Sequence, residues 1–120
     1  DWYQVDVLTC AAPNLREAMV EFVNSNTGKQ FGKFERGRLY QLFLRRIERI
    51  FRIAAANEED VLILGAFGCG AFCNPPEMVA RAFKDVQKKY AAYFEMIEYA
   101  VFCRGDETKN HTAFCVAFEE

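Results

Sequence analysis

Val61-Leu62-Ile63-Leu64-Gly65-Ala66-Phe67-Gly68-Cys69-Gly70-Ala71-Phe72-Cys73-Asn74-Pro75-Pro76-Glu77 joins a short apolar run to a glycine-rich turn and then to a helix start. An unbroken aliphatic run suits a strand covered on both faces, the usual state in a parallel sheet. Strand, glycine turn and helix together form a geometry in which successive backbone N–H groups converge on an anion at the C-terminal edge of the sheet. No charged side chain lies within 65–72, so the amides themselves would have to do the binding. Asn74 reads as the helix N-cap, Pro75 as the first helical position, and Glu77 completes a pattern resembling a capping box. Pro75 and Pro76 have no N–H and Glu77 would repel an anion, so a phosphate is expected on the amides of Phe67 to Phe72 and not on the helix tip. The loop lacks the Gly-Lys-Ser/Thr ending of a triphosphate loop, and its glycines run G-x-x-G-x-G where a dinucleotide fingerprint needs G-x-G-x-x-G. Spacing alone equally admits a turn that merely packs against the sheet.

Working outward, Tyr3, Val5 and Val7 alternate with Gln4 and Asp6, which predicts a first strand ending at Pro13-Asn14. Residues 15–23 read as a helix and residues 24–34 as a loop. Over residues 35–56, Leu39, Phe43, Ile47, Ile50, Phe51 and Ala54 form one apolar helical stripe, with Arg38, Arg45, Arg49 and Arg52 on another face. That basic face is a solvated helix side or, in a sharper reading, a contact for a polyanion. Glu58-Glu59-Asp60 is a polar turn. Beyond the glycine turn, Val79, Phe83, Val86 and Tyr90 give a second helical stripe, and residues 97–102 and 112–118 read as two strands. The order strand, helix, helix, strand, helix, strand, strand argues for α/β layering with a mostly parallel sheet.

With 120 residues, 52% of them hydrophobic, there is room for one folded domain and no reason to expect disorder. A net charge of −2 gives no broad pull on nucleic acid or anionic membrane, so neither is expected as a partner. A small anionic ligand held by backbone dipoles remains open. Five cysteines, an odd number set mostly beside apolar runs, favour reduced thiols and a cytoplasmic location. No signal peptide opens the chain and no apolar run approaches the roughly 20 residues of a membrane span. The chain has no initiator Met and enters a strand-like run at once, which raises the expectation of a fragment or processed product.

Residues 64–76 resemble the second ligand loop of the microbial-type poly(ADP-ribose) glycohydrolases, a branch of the macro-domain superfamily. Val5-Asp6-Val7-Leu8-Thr9-Cys10-Ala11-Ala12-Pro13-Asn14 is similar to that family's strand ending in a small-residue-Pro-Asn turn. The resemblance implies a macro-like three-layer α/β/α fold with a mixed, mostly parallel sheet, residues 1–120 being the C-terminal portion of the domain. It further implies that Gly65, Ala66, Phe67, Gly68, Cys69, Gly70, Ala71 and Phe72 embrace the diphosphate of ADP-ribose. Phe72 would lie against a ribose. Phe102 would stand beside adenine, unless it is an ordinary core residue. ADP-ribose or poly(ADP-ribose) is then the expected partner, with no cofactor.

The family's catalytic signature, a triple glycine followed by Gln-Glu-Glu, does not occur in this sequence. Glycosidic cleavage needs a placed carboxylic acid. Glu58-Glu59 is a turn and Glu119-Glu120 is the chain end, so no catalytic residue is expected here and hydrolysis would depend on a missing N-terminal part. The alternative is a reader module that binds ADP-ribose or a nucleotide without reaction. Missing strands would leave an open sheet edge, and with it pairing with a partner or self-association. Other chemistries are poorly served. His111, the single histidine, is expected in an exposed polar loop. Loop amides could lower the pKa of Cys69, but no histidine is near in sequence. Cys69 and Cys73 have no second ligand pair at zinc spacing, so no metal is expected.

Overall fold

A computed structural model of the chain describes residues 2–15 and 28–119. It contains a long helix α1 (Gly28–Ala56), a strand β1 (Val61–Leu64), a helix α2 (Pro76–Tyr90) and a 3-10 turn (Ala91–Tyr93). A second strand β2 (Met96–Tyr99) and a helix α3 (Lys109–Glu119) follow. The strands pair in parallel, with Val61 opposite Met96 and Leu64 opposite Tyr99. The α/β class and the parallel pairing expected from the sequence are both present.

The apolar stripe of α1 makes the core with that of α2. Phe43, Ile47 and Phe51 of α1 and Val79, Phe83 and Val86 of α2 are buried against Leu64 of β1. Arg38, Arg45, Arg49 and Arg52 are all exposed, so the basic face of α1 is a solvated side. The polar turn after α1 is a Schellman closure. The Glu59 N–H donates to the Ala54 carbonyl and the Glu58 N–H to the Ala55 carbonyl, with Glu58 in the left-handed region at φ 57°.

Four sequence expectations are corrected. Residues 28–34 are helical, where a loop was expected, because isolated glycines cost a long helix only about 1 kcal/mol each while propagation adds a bond per residue. Residues 112–118 lie in α3 and are not a strand: Ala113 and Phe114 are buried while Ala117 and Phe118 pack on the core, positions that share one side of a helix. The Phe118 ring packs on Tyr99 at a tilt of 34°, with centroids 4.7 Å apart. Residues 2–8 make no sheet pairing, and Trp2, Tyr3, Val5 and Val7 stand exposed, because an alternating run becomes a strand only where a neighbouring edge meets its ladder. Val61 and Ile63 are exposed, so among the described residues helices cover one face of β1 and not both. The helix expected at 15–23 falls outside the described residues beyond Leu15.

Although unpaired, the amino-terminal stretch has a defined course. Asp6 meets Glu59 just before β1, and the hydrogen bond between their carboxyl groups pushes the Glu59 pKa up. At the far end the Leu15 N–H donates to the Phe72 carbonyl, beyond the C-terminus of β1. The stretch therefore runs in the same direction as β1, and residues 4–8 and 61–65 line a shared groove together with Ile50 and Ile53.

Candidate functional site

Because β1 and β2 are parallel, their C-terminal ends lie on one edge, where ligands of open α/β sheets are bound. Residues 65–75 leave that edge from β1 and residues 100–103 from β2. The exits touch: the Ala100 N–H donates to the Leu64 carbonyl at 2.6 Å. Phe102 lies on the second exit and is 82% exposed, which excludes the reading of it as a core residue.

The glycine turn is folded by its own backbone. Phe67 donates to Gly65, Cys69 to Ala66, Cys73 to Gly70 and Asn74 to Gly68, at 2.9–3.1 Å. Two amides in the range expected to face an anion, those of Phe67 and Cys69, are thus engaged internally. Those of Gly68, Gly70, Ala71 and Phe72 donate to no backbone carbonyl among the described residues. Phe67 serves as the anchor of the turn, its ring standing edge-on to Phe43 of α1 with centroids 6.1 Å apart. Phe72 keeps 38% of its surface exposed.

Gly68 and Asn74 form the hinge of this arrangement. Gly68 sits at φ +75°, and a Cβ there would lie 2.5 Å from Asn74 Nδ2 and 2.6 Å from the Cβ of Ala12. Asn74 is not the helix cap. Pro75 occupies the cap position with no side-chain capping bond, and α2 begins at Pro76. Of the two positions a capping oxygen serves from residue 74, Pro76 has no N–H, which leaves only that of Glu77. The Asn74 Nδ2 instead donates to the Pro13 carbonyl at 2.6 Å and to the Gly68 carbonyl at 2.8 Å. Asn74 is buried and its Oδ1 has no hydrogen-bond partner among the described residues, an arrangement that costs about 1–3 kcal/mol.

Pro13 is also buried, and the turn it belongs to is held a third way, by the Arg46 guanidinium donating to the Ala11 carbonyl at 2.7 Å. The two stretches quoted above for their resemblance to one family are therefore adjacent in space. The sequence reading missed the bridging role of Asn74 and the contact from Arg46. For the latter a signal existed: Arg46 directly precedes core residue Ile47 and stands apart from the four arginines of the solvated face.

Burial pushes the Cys69 thiol up to about 12, and the Glu77 carboxylate adds to the rise. Desolvation outweighs any help from loop dipoles, so Cys69 is a protonated packing residue at neutral pH, and the nucleophile reading is withdrawn. His111 lies on α3 and not in a loop, exposed, with the Cys115 Sγ 3.5 Å from its Nδ1. Glu58 and Glu59 precede β1 and so lie at the opposite end of the strand from the glycine turn. Among the described residues no three His, Cys, Asp or Glu side chains gather as a metal site, and no helix is long and apolar enough to cross a membrane.

No protein-family model and no curated protein matches the chain. Solved structures do. The chain is similar to poly(ADP-ribose) glycohydrolase from Deinococcus radiodurans in complex with ADP-ribose, at 28% identity and a TM-score of 0.70, covering 90% of this chain and 40% of that one. A second complex of that enzyme with ADP-ribose gives 29% identity and a TM-score of 0.66, covering 82% of this chain and 38% of that one. The apo form gives 28% and 0.67, covering 87% and 39%. The chain thus spans about two fifths of the length of the structures it matches.

Proposed function

We propose that this chain is part of a macro domain of the poly(ADP-ribose) glycohydrolase type and that it binds ADP-ribose at the edge formed by residues 11–15, 65–74 and 100–103, a reading supported by its similarity to that enzyme. In this reading the amides of Gly68, Gly70, Ala71 and Phe72 hold the diphosphate, the Phe72 ring lies against a ribose, and Phe102 stacks on adenine. The carrying observation is that four loop amides have no backbone acceptor among the described residues, in a loop on which a second turn is docked directly. A phosphate-binding loop built from amides alone also agrees with the absence of charged side chains in 65–72.

Calorimetry with ADP-ribose and with AMP tests the proposal. ADP-ribose should bind and AMP should bind more weakly, since only the former brings a pyrophosphate. No heat with either ligand would remove the functional reading and leave the fold alone.

Hydrolysis is proposed to need residues outside this sequence. A placed acid is required, and the two glutamates described before β1 lie at the wrong end of the strand. The chain alone should release no ADP-ribose from the polymer, and release by it would overturn this part. A second reading is a non-catalytic ADP-ribose reader. Restored release on extending the chain upstream would decide against the reader.

A further inference from the structure

We infer that Asn74 is a positioning residue that couples the two turns of the proposed site, holding residues 11–15 and 65–74 in one fixed relation. Its consequence for affinity rests on the ADP-ribose reading above; the coupling itself does not.

A carboxamide nitrogen carries two hydrogens, and here each goes to a carbonyl on a different turn: Pro13 on one, Gly68 on the other. Serine and threonine have one donor, and aspartate at neutral pH has none. A capping asparagine works through its oxygen, yet here the oxygen has no partner among the described residues and the nitrogen is doubly engaged. The residue is therefore placed for donation across a gap of 61 positions in sequence. Gly68 makes room for it, since a Cβ there would occupy the space of Nδ2. Pro13 presents its carbonyl from a ring-restricted backbone, and Asn74 is itself followed by Pro75 and Pro76 at the start of α2. Both ends of the bridge are stiff. The amides of Gly68, Gly70, Ala71 and Phe72 and the backbone of residues 11–15 then meet a ligand as one preset surface, which lowers the ordering cost of binding.

The decisive experiment combines amide hydrogen exchange with calorimetry on the full chain and on N74A, N74D and R46A. The Leu15 amide, which donates across the same junction to the Phe72 carbonyl, should exchange at least about tenfold faster in N74A and N74D, while amides in the middle of α2 keep their protection. ADP-ribose affinity should fall about tenfold in N74A and R46A, whereas binding of inorganic pyrophosphate, which needs the glycine turn alone, should change by less than about threefold. R46A leaves both Asn74 bonds in place and reports only what fixing residues 11–15 adds to affinity, so the N74D exchange result decides the coupling if N74A fails to fold. Unchanged Leu15 exchange in N74A and N74D would overturn the coupling. Equal weakening of ADP-ribose and pyrophosphate would also overturn it, by reducing Asn74 to a shaper of the glycine turn. If the unaltered chain binds neither ligand, the ADP-ribose reading falls, and the exchange result still decides the coupling.

Discussion

Gly68 carries two demands that no other residue meets: a left-handed backbone, and the space taken by Asn74 and Ala12. Gly68→Ala should lower ADP-ribose affinity at least about tenfold while leaving the helical circular dichroism in place. Retained affinity would mean that the turn relaxes without loss and that its shape is not the binding determinant. Cys69 makes a separate prediction. Its folded pKa, up to about 12 from an ordinary 9.0, means that the native state keeps a proton the unfolded chain releases earlier. Tyr40 is also raised to about 12, by burial first and then by its hydrogen bond to Asp85, and burial raises Tyr99 as well. Raised pKa values give stability that is complete below the unfolded values and drains away as pH climbs through the folded ones. Urea midpoints should therefore hold up to about pH 9 and fall from there toward pH 12, with a shallower fall in Cys69→Ala. A flat profile across that range would contradict the buried environments described for these groups.

Among the elements, legibility followed the length of the pattern. The stripes of α1 and α2 repeat over several turns, and only a helix satisfies them. Residues 112–118 are too few to discriminate. Phe114, Val116 and Phe118 alternate as in a strand, yet Phe114 and Phe118 are also one helical turn apart, and packing on Tyr99 selects the helix. Residues 2–8 have a sound strand pattern, but pairing depends on a neighbour that their own sequence cannot specify. The glycine turn was readable as the link from strand to helix because its residues are contiguous. The Asn74 bridge was not, because its partner at Pro13 is distant in sequence. Two local mismatches remain within well-formed elements. Gly37 lies inside α1 with nothing within 4 Å of where a Cβ would stand, and Glu58 occupies a left-handed position where glycine is preferred. Gly37→Ala and Glu58→Gly should each stabilise the chain by about 0.5–1 kcal/mol in chemical denaturation. A loss of stability in either would refute the local geometry assigned there.

On the scale of the whole molecule, the bare face of β1 is the feature that asks for a neighbour. Val61 and Ile63 are exposed beside the groove shared with residues 4–8, while the matched structures have more than twice the length of this chain. An unpaired strand edge with an apolar face invites further strands. We therefore expect the isolated chain to self-associate, with Ile63→Lys shifting it toward monomer in size-exclusion chromatography. Elution of the unaltered chain as a monomer at all concentrations would rule out this contact.

The shared direction of the two strands has a practical side. Every backbone exit proposed to touch nucleotide leaves one rim of the sheet, while Asn57–Asp60 and Glu95 enter at the opposite rim. A fluorophore or surface tether installed on the Glu58 side should leave ligand capture undisturbed, whereas the same attachment at Cys73 or Cys103 should obstruct it. The molecule can thus be immobilised by its back and presented mouth outward.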